Sequence, residues 1–168
     1  MLPEQFARVA DAVALTLAGV QLRHLHRTRE GFGGDLILPL LLGEIGHYSA
    51  ASLMYSRGAD LATLDALLSP TAHADVEALY RRVLRPCNAH SLGLVTGVPD
   101  STVRRKVAVL VERGWVSALP NGTYLVTPRP AMEFERLNLM QLHDFFATAS
   151  TLKRLLAPVT ANASALAD

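Results

Sequence analysis

The stretch Ser91-Leu-Gly-Leu-Val-Thr-Gly-Val-Pro-Asp-Ser-Thr-Val-Arg-Arg-Lys-Val-Ala-Val-Leu-Val-Glu-Arg-Gly-Trp-Val116 reads as a short helix, a tight turn and a longer second helix. Gly97 can adopt the left-handed backbone conformation that closes a helix, and Val98 then sets an apolar anchor in the angle between the two helices. Pro99 has a fixed φ and no amide hydrogen, which suits a helix entry, while Asp100 and Ser101 are expected to cap the unpaired amides. The second helix is therefore expected to start near Asp100 and to stop at Gly114. Val103, Val107, Leu110 and Val111 recur at helical spacing and turn one stripe toward a core. The opposite stripe is expected to be exposed and to hold Ser101, Thr102, Arg104, Arg105 and Lys106, three consecutive cations with two short hydroxyls at the amino-terminal end. Such an end can meet base edges and phosphates.

After Gly114, the runs Trp115 to Leu119 and Thr123 to Thr127 are β-prone and flank Pro120-Asn121-Gly122, and Asn-Gly is a strong hairpin signal. Asn88 to His90 is a candidate third strand. In this order, helix, turn, basic helix, Gly114-Trp115-Val116, Asn-Gly hairpin and Thr127-Pro128, residues 73 to 130 resemble the winged helix-turn-helix of bacterial transcriptional regulators of the multiple-antibiotic-resistance (MarR) type. The resemblance implies a mainly α fold with a small β-wing, flanked by amino- and carboxyl-terminal helices that interlock into a homodimer. It also implies double-stranded DNA as the partner, with Asp100, Ser101, Thr102, Arg104, Arg105 and Lys106 at the duplex and Arg113 and Arg129 reaching phosphates from the base of the wing. Two departures stand out. Residues 31 to 70 add helices that the basic pattern lacks, and the wing tip Pro120-Asn121-Gly122-Thr123 has no Arg or Lys for a minor groove.

The chain has 168 residues, half of them hydrophobic, which is enough to bury a core without disulfide staples. Its one cysteine, Cys87, excludes an intrachain disulfide and fits a reducing cytoplasm, where a small buried hydrophobe is its ordinary role. A formal net charge of +1 does not mark the whole molecule as a nucleic-acid binder. The distribution is more telling. Between Tyr80 and Val116 stand Arg81, Arg82, Arg85, Arg104, Arg105, Lys106 and Arg113, against Asp100 and Glu112 alone. Met1-Leu-Pro-Glu lacks the basic start of a secretion signal, and the apolar run Leu36 to Leu42 is too short to span a membrane, so a cytoplasmic protein is expected.

Four regions are expected: a helical dimerisation and sensing region over 1–70, the winged domain over 71–130, a dimerisation helix over 131–157 and a fraying tail over 158–168. Residues 4 to 29 form a long helix apolar on two sides, with Phe6, Val9, Val13, Leu17 and Val20 on one and Leu15, Leu22 and Leu25 on the other. A second helix runs from Leu36 to about Ser56, capped by Asp35, with small residues from Gly43 to Ser52 that would let another helix approach closely. A short helix is expected from Asp60 to Leu68, and the first helix of the winged domain over 73 to 85. Pro128 and Pro130 interrupt regular structure before a last helix from Met132 to Leu156.

No metal ligand set is legible, since His24 and His26, two apart on a helix, point away from each other. No phosphate loop or nucleophile elbow is present, and the acid and histidine neighbours, His47 with Asp35 or Glu44 and His143 with Asp144, read as ordinary helix-surface or core histidines, so neither catalysis nor a cofactor is expected. The reading is a homodimeric, sequence-specific DNA-binding regulator. A small-molecule effector entering between the terminal helices would change the spacing of its two reading heads. The alternative is a winged-helix protein-interaction module that does not bind DNA.

Overall fold

A computed structural model describes residues 2–55 and 80–164. They form helices α1 (Leu2–Gly31) and α2 (Ile37–Tyr55), strand β1 (Cys87–Asn88), helices α3 (Ala89–Thr96) and α4 (Asp100–Glu112), strands β2 (Val116–Ala118) and β3 (Thr123–Val126), and helices α5 (Arg129–Glu133) and α6 (Glu135–Ser164). The fold is thus mainly helical with one small antiparallel sheet in the order β1-β3-β2. The helix expected at 60–68 and most of the one expected at 73–85 lie outside the described residues. Residues 80–83 of the latter are helical.

The chain divides into two compact units, one formed by residues up to 31 and from 136 onward, the other by Phe32–Glu135. In the second unit, α2 and α4 share a core in which Leu41, Ile45, Val103, Val107, Leu110 and Val116 are almost fully buried. The α4 stripe was legible because residues three and four apart share a helix face. Trp115 is buried beside Phe32 and Phe134, whose rings stack 4.9 Å apart while Trp115 meets each edge-on at 5.3 and 5.0 Å. Such offset and edge-to-face arrangements suit the aromatic quadrupoles.

Local turn chemistry follows the sequence closely. Gly97, Gly114 and Gly122 all take φ between 70° and 74°, each at a point where a helix or the β2-β3 hairpin turns. Gly97 N–H closes α3 onto the Gly93 carbonyl at 2.9 Å, and Gly93 has its own constraint, because a Cβ there would sit 2.5 Å from Asp100 Oδ1. Asp35 caps α2 as expected, its Oδ1 accepting from Ile37 N–H at 3.0 Å.

Several expectations are corrected. Neither Asp100 nor Ser101 caps α4: Pro99 occupies the cap position with no side-chain bond, and its carbonyl accepts from Thr102 and Val103 N–H at 2.8 and 2.9 Å. Asp100 is already inside the helix, so its carboxylate lies too late to cap. The third strand is Cys87–Asn88 rather than 88 to 90, because Asn88 Oδ1 accepts from Ser91 N–H at 2.8 Å and starts α3 at Ala89. Pro128 and Pro130 open α5 instead of interrupting structure, since a proline in a first turn gives up an amide that has no intrahelical partner anyway. The last helix breaks at Phe134 and α6 then runs through Pro158 to Ser164, beyond the expected end at Leu156. On α2, no described atom lies within 4 Å of a Cβ placed at Gly43 or Gly46.

In the first unit, α1 and α6 each span 30 residues. Arg27 Nη1 donates to Asp144 Oδ2 at 2.7 Å, and Arg23 Nε lies 3.4 Å from the same oxygen. These cations, Arg27 foremost, hold the Asp144 carboxyl below its ordinary value. Each helix also has a second apolar stripe turned to solvent. Leu15 and Leu22 lie opposite the face carrying His24 and Arg27, and Leu139, Leu142 and Phe146 lie opposite Asp144 and Thr148. No helix among the described residues is long and apolar enough to cross a membrane.

Candidate nucleic-acid interface

The sequence-predicted residues collect in the second unit around α4 and the base of the β2-β3 hairpin. Since Val103, Val107 and Leu110 are turned inward, helical geometry puts Ser101, Arg105, Ala108 and Glu112 on the opposite, solvent face, with Arg104 beside them; all five are exposed. No ion pair among the described residues involves Arg104 or Arg105. Both side chains are exposed, on a helix whose far face is locked into the core. Thr102 is half-buried at the flank. Asp100 lies near the start of α4 with Oδ2 3.5 Å from His90 Nδ1 on α3, so a protonated His90 would neutralise it.

Lys106 behaves differently from its neighbours. Its ammonium is hydrogen-bonded to Asp35 Oδ2, with 17% of the lysine side chain and 26% of the aspartate side chain exposed. That bond, the largest influence, holds the Asp35 carboxyl below its ordinary value although partial burial opposes ionisation. The three consecutive cations thus separate into two outward arginines and one lysine turned toward the start of α2.

At the hairpin base, the Arg113 guanidinium stands over the Trp115 ring, 4.8 Å from its centroid. Trp115 Nε1–H donates to Glu133 Oε2 at 2.8 Å, and Arg129 Nε lies 3.5 Å from that same oxygen. Arg129 also passes against Gly114, where a Cβ would be 3.0 Å from Nη1. Arg113 and Arg129 therefore flank Trp115 and Gly114, both exposed to solvent, with Glu133 tethering Arg129. The hairpin tip holds no cation. Asn121 Oδ1 accepts from Thr123 N–H and Oγ1 at 3.2 and 2.6 Å, so this side chain is spent on shaping the turn.

Sequence reading missed Asp35 as the partner of Lys106 and Glu133 as the partner of Trp115. Neither had a local signal: Asp35 reads in sequence as a helix cap or a neighbour of His47, and an acid 18 residues beyond a tryptophan has no spacing to announce it. Cys87 is buried, and burial pushes its thiol up to about 11, so it stays protonated at neutral pH. Among the described residues, no three or more His, Cys, Asp or Glu side chains gather as a metal would need. Compared with known proteins, the chain matches no family model, no curated protein and no solved structure.

Proposed function

We propose that the chain is a sequence-specific, duplex-DNA-binding transcriptional regulator whose α3-turn-α4 segment and β2-β3 hairpin form a winged helix-turn-helix of the MarR type. The observation that carries this reading is the outward face of α4. It offers two exposed arginines with no ion pair among the described residues, next to Ser101 and Ala108, whose small side chains let a groove approach the backbone. Arg105 is placed for a guanine edge or a phosphate, Arg104 for a phosphate, and Arg113 and Arg129 for the flanking backbone. A cytoplasmic homodimer completes the reading. Leu15, Leu22, Phe145 and Phe146 are 54–74% exposed in the first unit, an apolar surface that a second copy would cover. Two α4 helices about one duplex turn apart would then read a two-fold site.

Binding to random and selected duplexes over a salt series tests this. A regulator gives a steep fall of log affinity with log salt and a preference for a two-fold sequence. Arg105→Ala should flatten that slope by about one unit. Absence of salt-dependent binding would remove the DNA reading. One observation favours the alternative of a protein-docking module: Leu94 and Val95, 74% and 69% exposed on α3, form an apolar pair where a solvated helix would carry polar residues. If Leu94→Asp with Val95→Asp leaves the salt slope and affinity intact, that pair has no part in DNA binding.

A further inference from the structure

Hydrophobic contacts hold α4 against α2, but burial is not directional, and a core stripe alone leaves a helix some freedom to roll about its own axis. Rolling matters here because one residue step turns a helix by about 100° and would exchange Arg105 for a neighbour on the outward face. A directional contact off the core stripe removes that freedom. Lys106 supplies one: it lies between Val103 and Val107 in sequence but at the edge of their stripe, and its ammonium meets Asp35.

Asp35 is itself well anchored. Phe32 is buried against Trp115 and Phe134, Gly33 and Gly34 turn the chain with φ of 65° and 90°, and Asp35 Oδ1 caps α2 through Ile37 while Oδ2 takes Lys106. For Lys106 to reach a phosphate it would have to abandon a carboxylate that is three-quarters buried. Leaving such a charge unpaired offsets much of what one phosphate contact contributes.

We propose that Lys106 is a positioning residue: paired with Asp35, it ties the flank of α4 to the start of α2 and fixes which residues α4 presents, without itself contacting phosphate. The presentation to DNA rests on the reading of the chain as a DNA-binding regulator, whereas the tether does not. The pair accounts for two residues that have different local roles in sequence, a helix cap and a member of a basic run, by one contact.

The test uses the full chain with Asp35→Asn, Lys106→Met, both together, Lys106→Arg, which keeps a cation for Asp35 and leaves the α2 cap intact, and Arg105→Ala as the reference phosphate contact. In urea unfolding, the two single substitutions should be coupled by about threefold or more in the unfolding equilibrium constant. Amide exchange over the first turns of α4 should quicken in Asp35→Asn and in Lys106→Met and stay near the unaltered rate in Lys106→Arg. With duplex DNA, Lys106→Met should lower affinity by about three- to tenfold at an unchanged salt slope, and Lys106→Arg should keep most of it. A slope lowered by about one unit, as for Arg105→Ala, would place Lys106 on a phosphate and overturn the proposal. Zero coupling in unfolding, or a Lys106→Arg chain that exchanges its α4 amides as fast as Lys106→Met, would overturn it as well. If the unaltered chain binds no DNA, the regulator reading fails by itself, and the unfolding cycle and amide exchange still decide the tether.

Discussion

Helix α4 of unit Phe32–Glu135 and the pair of long helices α1 and α6 all carry apolar stripes, yet they dispose of them in opposite ways. The former turns Val103, Val107 and Leu110 inward, and its outward face is polar apart from Ala108. In the latter, Leu15 is 74% and Phe145 63% exposed, and the apolar stripes of both helices recur on the solvent side. A one-sided helix can complete its burial within a chain, whereas a two-sided helix needs a second surface. On this contrast α4 completes its burial within the chain, whereas α1 and α6 each keep an apolar stripe on the solvent side.

Truncating Leu110, fully buried, to alanine should give the largest effect, a loss of about 2–5 kcal/mol in urea unfolding from lost transfer energy and the cavity left behind. Leu15→Ala, measured where the chain is monomeric, should stay within about 0.5 kcal/mol. An equal cost for the two would erase the distinction between the regions.

Sedimentation of Phe146→Asp sharpens the same contrast from the other side. With a charge on the outward stripe of α6, dimer dissociation should strengthen by about a hundredfold or more, because two-fold symmetry places the charge in the interface twice. A chain that is already a clean monomer at micromolar concentration would remove the dimer and the spacing mechanism together.

Smaller is the effect expected from Trp115→Phe, which keeps an aromatic ring near Phe32 and Phe134 but deletes the hydrogen bond to Glu133. About 0.5–1.5 kcal/mol should be lost in unfolding, and Arg129 should lose its fixed position because Glu133 Oε2 is freed. An unchanged salt slope for DNA would show that Arg129 takes no part in binding.

The mildest probes are pH ramps. Asp35 in one region and Asp144 in the other have carboxyls held below 3.8, so each contributes stability that is present above that value and is lost as pH falls below it through the lowered one. Asp35→Asn should flatten the acid limb in the α2 and α4 signals, and Asp144→Asn in those of α1 and α6. Cys87 behaves in the opposite sense. Its thiol is raised from 9.0 to about 11, so stability falls as pH rises through that window, and Cys87→Ala should flatten the loss in alkaline unfolding curves. The same burial should make the thiol inert to a disulfide reagent in the native state.

Local chemistry was legible in the sequence at the turns and on the inner face of α4, though not at the α4 cap, which Pro99 occupies in place of Asp100 or Ser101. Gly97, Gly114 and Gly122 marked the turns because a positive φ is costly for any residue with a Cβ, and Val103, Val107 and Leu110 marked the inner face of α4 because helical periodicity is a property of the segment alone. The three-stranded sheet followed from the same local signals, to within a residue or two at its edges. What the tertiary structure decided were the pairings between distant segments. Lys106 looked like a third free cation until the fold brought it to Asp35, 71 residues earlier, and Trp115 acquired Glu133 in the same way. Phe134 ended α5 where its ring stacks on Phe32, a contact between segments about a hundred residues apart that no local spacing encodes. A charged side chain carries no mark of its partner in sequence, because the attraction depends on which helix faces meet and on how much water their meeting excludes.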